Sequence, residues 1–194
     1  MPLQSLSQAL REALRPNPET PTPRTPNRVV VVGVGSSLRS DDAAGLRIAE
    51  ELRKLDLPSV LVLLGDTAPE NVTGEIRRAL PSHVIFVDAA EFGETPGAVR
   101  LVDSVEIGGM SSSTHTLPLA VIADYLKQEL GCRVLFLGLQ PRVVAFGEGL
   151  SEEVAAAVTE TVATLARALC ESSGTQRRTC PSTPTGGGLE GGEA

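Results

Sequence analysis

The chain has 194 residues and a formal net charge of −7 at pH 7. This charge argues against a nucleic-acid partner, because phosphate contacts require a basic protein face. The sequence contains no apolar run long enough to span a bilayer and no compact apolar core of a secretion signal at its N-terminus. Three widely spaced cysteines without a C-x-x-C pair, Cys132, Cys170 and Cys180, argue against a cysteine-based metal site. We therefore expect a cytoplasmic protein, with reduced thiols and no membrane insertion.

Composition divides the chain into three parts. Residues 1–27 are expected to be a flexible, proline-rich extension. Residues 28–171 have the composition and length of one domain, and residues 172–194, rich in Gly, Ser, Thr and Pro, are expected to be disordered. A short amphipathic helix without a specific role is predicted near the N-terminus from the stripe Leu3, Leu6, Leu10 and Leu14. Removal of both tails is thus expected to change the melting temperature only slightly.

Strand and helix patterns alternate through the domain. Apolar runs predict five strands, at residues 28–34, 60–64, 83–87, 98–102 and 134–137. Helical spacing predicts a helix after the first, second, fourth and fifth strands, the last one beginning at a Ser151 cap. This order predicts a three-layer α/β/α fold with a five-stranded, mostly parallel twisted sheet. The link from the third to the fourth strand is too short for a helix, so the fourth strand is predicted to be antiparallel, at or near an edge.

The first strand ends in the glycine turn VVVVGVGSSLRSDD. A dinucleotide fingerprint would need a third glycine where Leu38 stands, and a phosphate-binding P-loop would need a lysine that is absent here. The turn closes instead with two acidic residues, Asp41 and Asp42. Capping of the following helix accounts for one carboxylate, but a second one in the same turn is opposed by charge repulsion.

A third acidic residue, Asp88, ends the third strand. If the strand order begins 2-1-3, Asp42 and Asp88 face one crevice at the switch point of the sheet, and two carboxylates in one crevice call for a cation. His115, in a loop before a helix, could complete an Asp, Asp, His set suited to a first-row divalent ion, although a single loop histidine is commonly just solvated. His83 begins the third strand at the opposite edge and is expected on the surface.

Several motifs resemble a known family when they are taken together and in order. They are GVGSSLRSDDAAG, GDTAPEN, IFVDAAEFGETPG, STHTLPL and FLGLQP. Together they resemble the hydrogenase maturation endopeptidases over about residues 28–170, and most of all the branch that serves formate hydrogenlyase-type complexes. These enzymes remove the C-terminal extension from the large-subunit precursor of nickel-iron hydrogenase.

The resemblance implies an α/β/α fold and a nickel site. Nickel would be bound by Asp42, Asp88 and His115, and it would be the nickel already inserted in the precursor, used as a recognition element. Three positions depart from the family pattern. Ser36 replaces an Asn; Ala43 replaces a Gly, which predicts helical backbone there; and Leu64 replaces an acid, with Asp66 two residues later.

The sequence therefore predicts an endopeptidase that processes the hydrogenase large-subunit precursor by metal-assisted peptide hydrolysis. No serine or cysteine nucleophile has an evident partner, and the general base is not specified; Asp41 and Asp66 are the candidates. Two alternatives stay open: an ordinary metallohydrolase with its own zinc, and a nickel-binding chaperone or module of hydrogenase assembly without peptidase activity.

Overall fold

A computed structural model of the chain describes residues 3–15, 28–103, 116–147 and 149–172. Within these segments, strands and helices alternate. The strands are β1 (Val29–Val34), β2 (Val60–Asp66), β3 (His83–Ala89), β4 (Val99–Asp103) and β5 (Arg133–Leu139). The helices are α1 (Leu3–Ala13), α2 (Ala44–Lys54), α3 (Thr73–Ala79), α4 (Thr116–Leu130) and α5 (Glu152–Ser172). Short 3-10 turns, Ser40–Ala43 and Pro69–Val72, lead into α2 and α3.

The five strands form one sheet in the order β2-β1-β3-β5-β4. All neighbours are parallel except β4, which pairs antiparallel with β5 at the edge. The mostly parallel sheet and the antiparallel edge strand are thus confirmed, and the order begins 2-1-3, the condition under which Asp42 and Asp88 face one crevice. β2 and β3 each extend two residues past the predicted ends, so that Asp66 and Asp88 belong to the strands themselves.

The core has two layers, one on each face of the sheet. Successive strand side chains point to opposite faces. Val29 and Val31 pack in the cluster that contains α1, α2 and α5, whereas Val30 and Val32 pack in the cluster that contains α3 and α4. The three-layer α/β/α architecture is therefore present, with the central strands buried on both faces, as continuous apolar runs predict.

The N-terminal helix has a role that the sequence did not reveal. The side chains of Leu6, Leu10 and Leu14 are at most 2% exposed and belong to the same core cluster as α5. At the end of α1, Arg133 donates a hydrogen bond from Nη1 to the Ala13 carbonyl, at 3.0 Å. The prediction of a helix without a specific role is wrong, because its leucine stripe covers apolar surface of α5. The proline-rich residues 16–27 and the tail at residues 173–194 lie outside the described segments.

Replacing Leu10 by Ala is expected to lower the free energy of unfolding by about 2 to 5 kcal/mol, the usual cost of truncating a buried leucine. Urea unfolding of the full chain measures this change. Gln8→Ala, at an exposed position of the same helix, is the control and should change stability by at most about 0.5 kcal/mol. Equal unfolding midpoints for Leu10→Ala and the wild type would show that α1 does not dock in solution.

His83 lies at the predicted edge of the sheet but not on the surface. It is 3% exposed, so the expectation of a surface residue is wrong. Its Nδ1 lies 2.9 Å from the Ser82 hydroxyl. Burial, together with the positive charge of Arg133, lowers the pKa of His83 to about 4, and the carbonyls of Ala13 and Arg15 oppose this shift. The end of α1 thus covers a neutral histidine that sits at the amino edge, away from Asp42 and Asp88.

Two further features bear on the expectations about thiols and membranes. Cys132 is a buried free cysteine, and burial raises the pKa of its thiol to about 11. Among the helices in the described segments, none has both the length and the apolar character needed to cross a bilayer.

Candidate functional site

The turn after β1 requires glycine. Gly35 has a φ of +129°, and a Cβ built on it would lie 1.8 Å from the carbonyl oxygen of Asp42. The N–H of Gly35 donates a hydrogen bond to the carbonyl of Asp66 at the end of β2, at 3.0 Å. The turn therefore brings the backbone of Asp42 directly against the end of β1, in a position where any larger residue would clash.

A second glycine seats the following helix between two strands. A Cβ on Gly45, in the first turn of α2, would lie 2.2 Å from the Val87 carbonyl oxygen and 2.4 Å from that of Val34. The helix start is thus inserted between the carboxyl ends of β3 and β1, which is the switch point of this sheet. Ala43 has φ −75° and ψ −6°, so the helical backbone predicted from its replacement of glycine is confirmed.

The structure brings Asp42 and Asp88 together at this switch point. Each is only 6% exposed. Neither oxygen of Asp88, nor Oδ2 of Asp42, has a hydrogen-bond partner among the described residues. Burial, and after it the charge of Asp42, raises the pKa of Asp88 well above its usual range, which the N–H of Ala89 only partly offsets. The two carboxyl groups are therefore close enough to repel each other.

A carboxylate pair of this kind fits a divalent cation. Buried carboxylates without hydrogen bonds are costly unless a counter-charge is present. Carboxylate oxygens are suitable ligands for first-row divalent ions, above all together with an imidazole. Within the described segments, no group of three or more His, Cys, Asp and Glu side chains is arranged to hold a metal. His115, the predicted third ligand, lies outside those segments, so the full ligand set stays a prediction.

Asp41 is fully buried and has a different environment from its neighbour Asp42. Its Oδ2 accepts hydrogen bonds from the N–H groups of Arg142 and Val143, at 2.9 and 3.0 Å, and from the Ser151 hydroxyl, at 2.9 Å. Its Oδ1 accepts one from the Ser151 N–H, at 2.6 Å. Burial alone would raise the pKa of Asp41, but these donors outweigh it and lower the pKa below the ordinary 3.8. Asp41 therefore anchors the segment that leads from β5 into α5.

Asp66, the other candidate base, is exposed at the last position of β2. Its φ of +47° places it in the left-handed region, which aspartate tolerates better than most residues. The hydrogen bond between its carbonyl and Gly35 puts Asp66 at the same sheet edge as the Asp42 turn. The family pattern has an acidic residue where this chain has Leu64. Asp66, two residues later, thus supplies a carboxylate at the same edge of the sheet.

Gln140, directly after β5, organises this edge and was not singled out from the sequence. It is 3% exposed. Its Oε1 accepts hydrogen bonds from the N–H groups of Phe92 and Glu94, at 2.9 and 3.2 Å, and its Nε2 donates to the Glu91 carboxylate at 2.7 Å. The loop after β3 is held in place by these bonds. The signal available in the sequence was a glutamine that ends an apolar strand in FLGLQP, because a buried amide needs partners.

The fold and the carboxylate pair define a class of protein: an α/β/α domain with an acidic crevice at the switch point of its sheet. Residues 46–168 match the family model described as hydrogenase maturation protease. The chain belongs to the hydrogenase maturation protease family, whose members are peptidases. The family resemblance seen in the sequence motifs is confirmed by this match.

Known relatives agree with this assignment. The chain is 37% identical over 134 residues to the hydrogenase 3 maturation protease of Escherichia coli K12, a match that covers 69% of this chain and 85% of the relative. It is similar to the crystal structure of the NiFe hydrogenase maturation protease HycI from Thermococcus kodakarensis KOD1, with 31% identity, a TM-score of 0.72, and coverage of 83% of this chain and 98% of that one. For the E. coli hydrogenase maturating endopeptidase HybD, the identity is 29%, the TM-score 0.66 and the coverage 75% and 93%.

Proposed function

We propose that this protein is a cytoplasmic endopeptidase that removes the C-terminal extension of a nickel-iron hydrogenase large-subunit precursor after nickel insertion. In this proposal, the nickel of the precursor is the recognition element. The observation that carries the proposal is the pair of buried, unpartnered carboxylates, Asp42 and Asp88, at the switch point of a maturation protease fold. A divalent cation would compensate the charge of these two carboxylates. The nickel carried by the precursor would be that cation.

The nature of the ligands supports a metal that arrives with the substrate. Asp42, Asp88 and His115 would supply oxygen and nitrogen donors without a thiolate. A set of three such ligands leaves coordination positions open and binds metal less tightly than a closed structural site. Binding of the precursor's nickel to these side chains would fix the adjoining peptide bond at the crevice. Correct positioning of a peptide bond is itself a large contribution to catalysis.

Hydrolysis also needs a group that activates water, and the two candidates differ in their surroundings. All four hydrogen bonds to Asp41 use its carboxylate oxygens as acceptors. Its lowered pKa also makes it a weak base. Asp66 is exposed at the same edge, so we favour Asp66 over Asp41 as the general base. The nickel could polarise the scissile carbonyl or position the water.

The experiment uses full-length protease, treated with chelator and desalted, and precursor prepared with and without nickel. The mass of the precursor is followed by mass spectrometry. We expect cleavage of the nickel-loaded precursor only, with activity retained after the chelator treatment. His115→Ala should lose cleavage while the precursor keeps its nickel, because the lost ligand belongs to the protease.

Each competing function has its own outcome in this experiment. Equal cleavage of both precursor forms would rule out recognition through the substrate metal. Activity that is lost on chelation and returns only with zinc would indicate an ordinary metallohydrolase. Binding of nickel-loaded precursor without any change in its mass would indicate a nickel-binding chaperone or assembly module.

A further inference from the structure

Two loops beside the carboxylate pair expose large apolar side chains. Leu38, in the loop between β1 and the 3-10 turn, is 62% exposed. In the segment between β5 and α5, Phe146 is 87% exposed, Val143 44% and Val144 40%. We refer to these four side chains as the apolar surface. Exposed apolar residues that cluster in one place, unlike single scattered ones, mark interaction sites.

Hydrogen bonds hold the two loops together. The N–H of Ser40 donates to the Gly147 carbonyl at 2.9 Å, and the N–H of Gly147 donates to the Leu38 carbonyl at 3.2 Å. The hydroxyl of Ser40 donates to the Ala145 carbonyl at 3.2 Å. The backbone that carries Phe146 is therefore bonded on both sides to the loop that carries Leu38, so that their apolar side chains belong to one surface.

The buried carboxylate of Asp41 fixes this surface relative to the candidate site. It accepts hydrogen bonds from the backbone of Arg142 and Val143, while the N–H of Asp41 donates to the Val143 carbonyl at 3.3 Å. Asp41 directly precedes Asp42 in the chain. The segment that carries Val143 is thus hydrogen-bonded to the residue directly before Asp42, one member of the carboxylate pair.

We propose that the apolar surface binds an apolar segment of the substrate polypeptide next to the bond that is cleaved. This inference rests on the proposed function, because a polypeptide whose nickel docks on Asp42 and Asp88 must pass along this edge of the protein. Bulky aliphatic or aromatic side chains of the substrate would be buried there at about 25 cal/mol per Å² of apolar area. The net charge of −7 disfavours an anionic membrane surface as the occupant.

The test compares Val144→Ser, Phe146→Ser and the double variant with the wild type. Leu80→Ser is the matched control, because Leu80 is 46% exposed and follows α3, at the amino edge of the sheet, opposite the site. Binding and cleavage of nickel-loaded precursor are measured separately, by calorimetry and by mass spectrometry. We expect the double variant to weaken binding and raise KM by about tenfold, as loss of apolar anchors at an interface does. We expect a smaller effect on kcat and no change for Leu80→Ser.

The outcomes separate this inference from the proposed function. Unchanged precursor affinity and KM in the double variant would overturn the inference while leaving the peptidase activity in place. Wild-type protein that binds precursor but never cleaves it would overturn the proposed function, and the binding data would still test the apolar surface. A wild-type dimer that the double variant converts to a monomer, with precursor affinity unchanged, would assign the surface to a second copy of this chain and overturn the inference.

Discussion

An Asp42→Asn variant is expected to lose precursor processing completely and to remain folded. The change keeps the shape of the side chain but removes the charge of one of the two carboxyl groups at the switch point. Because the charge of Asp42 contributes to raising the pKa of Asp88, its removal relieves repulsion in the metal-free protein. We therefore expect thermal stability to be equal to that of the wild type or slightly higher. Precursor mass and a thermal melt of the same preparation provide the two measurements.

Asp56→Asn is the matched control for this experiment. Asp56 is exposed after α2, at the opposite edge of the sheet, and its φ of +45° is one that asparagine also tolerates. It should change neither processing nor stability. Asp88→Asn should behave like Asp42→Asn, since both oxygens of Asp88 lack partners. Marked destabilisation of the Asp42 or Asp88 variant in the absence of metal would contradict the proposal and assign the carboxylates a structural role.

The neighbouring Asp41→Asn is expected to have the opposite effect on stability. Its amide presents an N–H group where a carboxylate oxygen now accepts hydrogen bonds, so at least one buried donor faces another donor. We expect a loss of about 2 to 4 kcal/mol in the free energy of unfolding, because charged hydrogen bonds are lost and donors are left unsatisfied. Processing should fall as well, since the segment from Arg142 to Ser151 loses its anchor. Urea unfolding at neutral pH measures the effect on stability.

The pH dependence gives this prediction a second readout. The pKa of Asp41 is lower in the folded state than its ordinary value of 3.8. Its ionised form therefore stabilises the fold above that value, and the contribution is lost as the pH falls through the folded-state pKa. The stability difference between the wild type and Asp41→Asn should shrink on acidification. A difference that stays constant down to low pH would show that the carboxylate charge is not what anchors this segment.

Periodicity and chain order predicted the parallel sheet that frames the site, and the site itself followed on the condition that the strand order begins 2-1-3. Alternating apolar strands and helices indicated a parallel sheet, and the order 2-1-3 placed the ends of β1 and β3 side by side. Asp42 and Asp88 follow from that order, because the carboxyl ends of parallel strands meet at the same edge. The helical backbone at Ala43 was likewise predictable, since it depends on local conformation alone.

The tertiary structure decided what each polar or apolar side chain near that frame contacts. Asp41 and Asp42 are adjacent in the sequence, yet Asp41 accepts hydrogen bonds from Arg142, Val143 and Ser151, about a hundred residues away, while an oxygen of Asp42 has no partner.

The leucine stripe of α1 is typical of any amphipathic helix, and only its packing on α5 shows that it belongs to the core. The same helix also buries His83, the first residue of β3. The strand pattern alone does not indicate that a helix covers this edge of the sheet. Local sequence patterns indicate which face of a helix or strand is apolar. Hydrogen-bond partners and burial depend instead on segments that are distant in the chain, and the positions of those segments are set only when the whole domain packs.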